Sequence, residues 1–338
     1  MGLHRLPNGN VTDDPNDEAR MTNDETMSKR VRRFRIVLAV FVIIASSTVA
    51  SAKGVRSTQL GGYKAVRVHY SPLNKMIMSV RINGQPANLL VDTGSNQVIL
   101  DAASAESFDV RPSRRDLGYI QFTRINGQLL PIGFAQSLMA GGMNFGSIPV
   151  TLRDSSHSEN GDARVDGVLG LDLLTRHKAV INCRTKLIFF KVDRTRQVDL
   201  SSVASAEKFT KIPLRREENG ALTVPCSIHG QPARLLVDTG AFITIFHEGF
   251  LKSVGIPMEK TGVSAHFAPG ASRKISAGKI NDFKIGNFKT PPGKFGVTAL
   301  PNFTLRQGSA RVSGILGMDT LYDCHGIIDL DSMNLFLK

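Results

Sequence analysis

Residues 82–94 read INGQPANLLVDTG, and residues 228–240 read IHGQPARLLVDTG, identical at 11 of 13 positions. Two further elements repeat downstream in the same order. VDGVLGLDLL (165–174) matches VSGILGMDTL (312–321), and AVINCRTKLIFFK (179–191) has its counterpart in GIIDLDSMNLFLK (326–338). From Asp92 to Gly170 is 78 residues, and from Asp238 to Gly317 is 79. Three elements held in order at one spacing mark an internal duplication.

Each copy reads mainly as strand. MIMSVRI and ALTVPCSI are short runs rich in β-formers, and the Gly-Gln-Pro that follows each is a turn signal leading into ANLLVD or ARLLVD. NQVIL and FITIF are expected to continue as strands beyond the two Asp-Thr-Gly triplets. YIQFTRINGQLLPIGF is two apolar-polar runs about Asn126-Gly127, a hairpin pattern. SAHFAPGASRKISAG, its counterpart, turns near Pro269-Gly270. LDLLTRH and MDTLYDCH read as single short helices. The polar stretch 193–208, DRTRQVDLSSVASAEK, lacks alternation and is expected to link the copies, so that one lobe spans 53–192 and the other 209–338.

Composition bounds the remainder. The chain has 338 residues, 31 glycines, no tryptophan and a net charge of +13. Residues 1–52 hold seven Lys/Arg against six Asp/Glu, so about +12 falls on the lobes. That excess favours anionic surroundings such as a membrane or envelope surface. No recognised nucleic-acid motif accompanies it, and no specific nucleic acid is expected as a partner. Cys183, Cys226 and Cys324 do not make a disulfide framework. Cys226 stands where the first copy has Val80, which suggests a buried apolar role. No His/Cys cluster has metal-ligand spacing; no metal and no cofactor is expected.

Residues 1–28 are polar and expected to be disordered. Over 29–52, KRVRRFR precedes IVLAVFVIIASSTVASA, a basic, then apolar, then small-residue order that fits an export signal. Its uncharged part, 36–52, is also near the shortest length for a membrane anchor. On either reading the lobes lie outside the cytoplasm.

Paired Asp-Thr-Gly triplets, each followed by an apolar-apolar-Gly element, resemble the aspartic proteases, and ILGMDTL…GIIDL…NLFL is similar to the bacterial retropepsin-like branch. The resemblance covers roughly residues 66–338. It implies a mainly β fold: two β-barrel lobes, one short helix each, facing one another across a pseudo-twofold axis. Each lobe then supplies one aspartate of a catalytic dyad, Asp92 and Asp238, and because one chain holds both, a monomer suffices. The implied substrate is a polypeptide.

Two carboxyls a few ångströms apart cannot both ionise cheaply, so they share a proton and titrate as a pair. One can then act as base on water while the other donates to the substrate carbonyl. Gly94 and Gly240 let backbone approach the carboxylates and donate N–H groups to them. The resemblance implies that Thr93 and Thr239 brace the two loops across the axis. Ser95 can reach the outer oxygen of Asp92, whereas Ala241 cannot do so for Asp238. Gly170 and Gly317 allow a strand to pass tightly behind each loop. The hairpins centred on Gly127 and Gly270 are candidate flaps, with Tyr119 near the first. His177 and His325, just after the short helices, read as helix-end residues.

Two readings stay open on these residues. The dyad is either catalytic, or a pair of turn aspartates satisfied by backbone amides on an inactive scaffold that binds peptide or envelope polymer.

Overall fold

In a computed structural model of the protein, the described residues are 60–72, 74–114, 120–125, 127–154, 164–267 and 271–338. The polar extension (1–28), the export or anchor segment (29–52), Tyr119 and the second flap tip at Gly270 lie outside them. Among the described residues no helix is long and apolar enough to cross a membrane.

The repeated runs become hairpins. Met76–Ile82 pairs with Gln85–Val91, and Leu222–Ile228 pairs with Gln231–Val237. The turns fall one residue earlier than the Gly-Gln-Pro reading placed them. Their central residues are Asn83-Gly84 and His229-Gly230, all four at positive φ, as a tight two-residue hairpin demands. Pro86 and Pro232 already belong to the return strands, whose extended backbone suits the fixed φ of proline.

Each lobe then curls its own sheet. In the first, the order is His69–Tyr70, Met76–Ile82, Gln85–Val91, Gly167–Leu169, Ile99–Asp101, Met143–Arg153, Gln128–Ala140 and Phe122–Ile125. An extra pairing of Met76–Ile82 with Gln128–Ala140 closes it towards a barrel. The second lobe repeats the plan in a ten-stranded sheet. In both, the strand that ends at the Asp-Thr-Gly lies parallel to the strand of the apolar-apolar-Gly element (Leu89 opposite Gly167, Leu235 opposite Gly314). The strands after the triplets are shorter than expected, Ile99–Asp101 and Ile245–His247, because the residues just behind the triplets bend around the loop.

Beneath the lobes runs a six-stranded sheet to which both contribute equally. Its order is Tyr63–Arg67, Leu187–Lys191, Val180–Asn182, Ile327–Asp329, Asn334–Leu337 and Thr210–Pro213. The two copies meet antiparallel at its centre, with Ile181 opposite Ile328. A buried apolar cluster runs continuously from Val66 through Ile181, Phe190 and Ile328 to Leu337, so the lobes share one core. Asp331 of the second lobe adds polar ties to the first, pairing with Lys178 at 2.7 Å and the buried Lys191 at 2.5 Å and accepting from Tyr63 Oη at 3.1 Å.

Short helices follow the Gly elements, Leu171–Arg176 and Met318–Asp323, but the expected single helix per lobe falls short: Ala102–Ser107 in the first lobe and Glu248–Ser253 in the second follow the strands behind the triplets. The stretch read as a linker carries a helix of its own, Leu200–Ala206, started by the Asp199 side chain accepting from Ser201 N–H at 2.9 Å. Only Ala204 of that helix is buried, so no hydrophobic period announces it. His177 ends the first short helix, with its ring edge-on to Phe145 and Phe190. The three cysteines are free and buried, Cys226 in the core beside the other strand residues.

Candidate active site

Asp92 and Asp238 emerge at equivalent strand ends, each held from behind by the neighbouring strand: Asp92 N–H donates to Leu169 O and Asp238 N–H to Leu316 O, both at 3.1 Å. The two loops then cross. Thr93 N–H donates to Thr239 Oγ1 and Thr239 N–H to Thr93 Oγ1, each at 3.1 Å. The hydroxyls donate onward, Thr93 to Val237 O and Thr239 to Val91 O, each at 2.8 Å. Both threonines are fully buried. Four reciprocal bonds in a dry environment fix the loops relative to each other.

This lock brings the carboxyls together, near enough for Asp92 to act directly on the ionisation of Asp238. Gly94 N–H donates to Asp92 Oδ1 at 2.7 Å and Gly240 N–H to Asp238 Oδ1 at 2.8 Å. The glycines also serve the opposite lobe. A Cβ at Gly94 would stand 2.5 Å from Asp238 Cγ, and one at Gly240 would stand 2.6 Å from Asp92 Cγ. No side chain fits there without displacing the opposed carboxyl.

The surroundings are not quite symmetric. Ala241 N–H adds a second backbone bond to Asp238 Oδ1 at 3.0 Å. At the matching place, Ser95 N–H lies 3.4 Å from the Asp92 main-chain oxygen, and no hydrogen bond joins the Ser95 hydroxyl to the Asp92 carboxyl. Burial first, and the adjacent Asp92 second, push the ionisation of Asp238 well above the usual carboxylate range, against the pull of the Ala241 and Gly240 amides. One proton for two carboxyls is the outcome that geometry favours.

That shift has a consequence for stability. An aspartate in an unfolded chain ionises near pH 4. With the folded value raised, the stabilisation is complete below about pH 4 and is lost as pH rises through the folded value. Asp238→Asn, neutral at every pH, is expected to melt higher than the parent at pH 8. The gain should be about 2 °C for each kcal/mol of repulsion removed, trimmed by solvent at this half-buried site, and should vanish near pH 4. Identical melting differences at pH 4 and pH 8 would count against a shared proton.

Behind the loops, Gly170 and Gly317 lie against the backbone of Gln97 and Ile243. Two residues inside the quoted motifs carry roles that the sequence reading missed. Asp172 Oδ2 accepts from Val98 N–H at 3.3 Å, and Asp319 Oδ1 accepts from Thr244 N–H at 2.8 Å. Each ties the first turn of the short helix to the chain leaving its Asp-Thr-Gly. Thr244 strengthens the tie in the second lobe: its hydroxyl contacts both Asp319 Oδ1 and Thr320 Oγ1 at 2.7 Å and accepts from Gly317 N–H at 3.0 Å. The signal was the aspartate repeated in LGLD and LGMD. Of the flap tips, Gly127 lies at the turn between Phe122–Ile125 and Gln128–Ala140, at φ 86°.

Sequence comparison reaches both copies at corresponding places. A gag-polyprotein aspartyl protease family model matches residues 78–176, and an aspartyl protease family model matches residues 224–320. No curated protein matches the chain. Similar solved structures include the aspartic proteinase from Irpex lacteus, 16% identical with a TM-score of 0.44 over 81% of this chain and 96% of that one. Basic 7S globulin from soybean is 10% identical with a TM-score of 0.47, over 82% of this chain and 95% of its own. Conglutin gamma from lupine seeds is 10% identical with a TM-score of 0.46 over the same shares. Aspartyl-protease family models thus match each copy, and in sequence pattern and mainly β two-lobed fold the chain is similar to the retropepsin-like aspartic proteases.

Proposed function

We propose that the protein is an aspartic endopeptidase that works as a single chain, with Asp92 and Asp238 as its catalytic residues. The observation that carries this is the contact between the two carboxyls at the crossing of two threonine-locked loops. Structural turn aspartates would be satisfied by their own loops and have no need to meet. Bringing two acids together costs free energy that sharing a proton relieves only in part, and such perturbed pairs cluster at functional sites.

In the proposed reaction a water held between the carboxyls loses a proton to the ionised aspartate as its oxygen attacks the peptide carbonyl carbon. The protonated aspartate meanwhile donates its hydrogen bond to the carbonyl oxygen as that atom gains charge. The C–N bond breaks when the nitrogen takes a proton from the dyad, which leaves one proton on the pair, as at the start. No covalent enzyme intermediate is needed. A substrate would lie extended across both lobes, its main chain paired like an added strand and its side chains directed alternately into pockets. Activity should follow a bell-shaped pH curve, lost at low pH when both carboxyls are protonated and at high pH when both are ionised.

The test is incubation of the purified protein with a diverse peptide library from pH 3 to pH 8, with new termini read by mass spectrometry. Cleavage within an acidic-to-neutral window supports the reading. Saturable peptide binding with no new termini at any pH overturns it in favour of a binding protein on this scaffold.

A further inference from the structure

The two candidate flaps are held in very different ways. In the second lobe, the hairpin formed by Met258–Phe267 and Ala271–Ile280 is pinned by packing. Ala265 and Ile275 are only 8% and 4% exposed, buried in a cluster with Leu300, Leu305 and Val312. Thr298, on the adjoining strand, donates its hydroxyl straight to Lys274 O at 2.9 Å, and Thr261 Oγ1 donates to Ile275 O within the hairpin. Leu305 and Val312 belong to the segment 299–312, which carries the helix Asn302–Leu305 and a small two-stranded ribbon at Arg306–Gln307 and Ala310–Arg311.

The first lobe lacks that support. No residue of the strand Phe122–Ile125 is buried, and Phe122 and Leu129 are 52% and 61% exposed. Thr151 stands where the second lobe has Gly296, opposite Ile99 as Gly296 is opposite Ile245, and its hydroxyl does not reach the hairpin main chain. It donates at 2.7 Å to Gln97 Oε1, and Gln97 Nε2 faces Thr123 Oγ1 on the hairpin at 3.4 Å. Gln97 lies five residues beyond Asp92, and its carbonyl backs onto Gly170. The duplicate of Gln97 is Ile243, packed against the second-lobe cluster. One side chain thus joins the stem of the first-lobe hairpin to the loop that carries Asp92, where the other lobe has apolar packing.

We infer that Gln97 is a positioning residue that latches the Phe122–Ile125/Gln128–Ala140 hairpin to the catalytic loop, and that this hairpin alone closes over substrate. The inference rests on the peptidase reading for its purpose but on the hydrogen bonds and burial for its mechanics. Its outer part has no buried side chain over 122–125 and 128–132 and opens at low cost, while the base stays anchored by the buried Ala135 and Leu138. A long, weak amide–hydroxyl contact can be broken and remade at each turnover, whereas the buried second-lobe hairpin opens only by unpacking apolar side chains. Thr151 fixes the amide of Gln97 so that its N–H side faces the hairpin.

Two variants test it: Gln97→Leu, which copies the apolar character of Ile243, and Thr123→Val, on a strand with no buried residue. Hydrogen exchange comes first and needs no activity. In the unaltered protein, amides of 122–125 and 128–132 should exchange faster than those of 271–280, and both variants should accelerate the first group alone. Thr123→Ser should restore parental exchange. In peptide cleavage, both variants should raise KM about fivefold, the scale of one net hydrogen bond, with kcat changed less than twofold. Accelerated exchange confined to the first hairpin, in a protein that cleaves nothing, keeps the latch and rejects the peptidase reading. Cleavage with unchanged KM and unchanged exchange keeps the peptidase and overturns the latch. Faster exchange in 271–280 than in 122–132 overturns the assignment of the moving hairpin.

Discussion

Asp92→Asn and Asp238→Asn should each lower the rate of peptide cleavage by about a thousandfold or more, the upper range for removing a positioned acid–base group, with the fold intact. Asparagine keeps the shape, and its oxygen can still accept from Gly94 N–H or Gly240 N–H, which now bond the carboxylates at 2.7 and 2.8 Å. It can neither take a proton from water nor return one to nitrogen. The pair works as one unit, so the double variant should be no slower than the worse single one. Additive losses would mean that the two aspartates act separately, contrary to their close apposition. Full activity in either single variant defeats the dyad. Thermal melting at pH 4, where the parent dyad is least strained, shows that lost activity is not lost structure.

How much of this could be read from the sequence depends on whether a feature repeats. The duplicated LLVDTG runs expose Asp92, Asp238 and both threonines as equivalent residues, and the resemblance to the aspartic proteases, not the duplication itself, implies that they meet across a twofold axis. The six-stranded floor was not legible. AVINCRTKLIFFK and GIIDLDSMNLFLK announce strands, but an apolar run does not say which edge it joins, and here each copy's strand pairs across the axis. Asp172 and Asp319 were visible in the repeat yet read only as helix residues. An aspartate at the first turn of a helix has an ordinary explanation in the helix dipole, and only coordinates show its oxygen turned to Val98 or Thr244. The turn misplaced onto Gly-Gln-Pro errs for a related reason. Proline marks turns on average, but two left-handed residues in succession, Asn83-Gly84 or His229-Gly230, fix this hairpin more strongly. Differences between the copies carry the least sequence signal. Gln97 against Ile243 looks like drift until Thr151 and Thr123 are seen on either side of it.

The largest stability effect expected is at the two glycines behind the catalytic loops. Gly317 has φ −97° and Gly170 φ −92°, ordinary values for any residue, so alanine there meets no backbone strain of its own. The obstacle is steric. A Cβ at Gly317 would stand 2.4 Å from both C and O of Ile243, and one at Gly170 would stand 2.3 Å from Gln97 O and 2.6 Å from its carbonyl carbon. These neighbours are backbone and cannot rotate aside as a side-chain end would. Relief requires the chain just beyond the Asp-Thr-Gly to move, and that chain is also bonded to the element behind it through Leu171 N–H to Ser95 O and Met318 N–H to Ala241 O, each at 2.8 Å. Gly170→Ala and Gly317→Ala should therefore each cost about 3 kcal/mol, the upper end for overpacking a rigid site. That corresponds to melting about 4–6 °C lower at this chain size. Cleavage should fall further than the loss of folded protein explains, since the displaced segment carries a carboxyl whose partner stays put. Gly262→Ala, where a Cβ meets nothing within 4 Å, is the matched control and should melt like the parent. If Gly317→Ala also melts like the parent and cleaves at the parental rate, the close approach of the two strands is not what fixes the dyad.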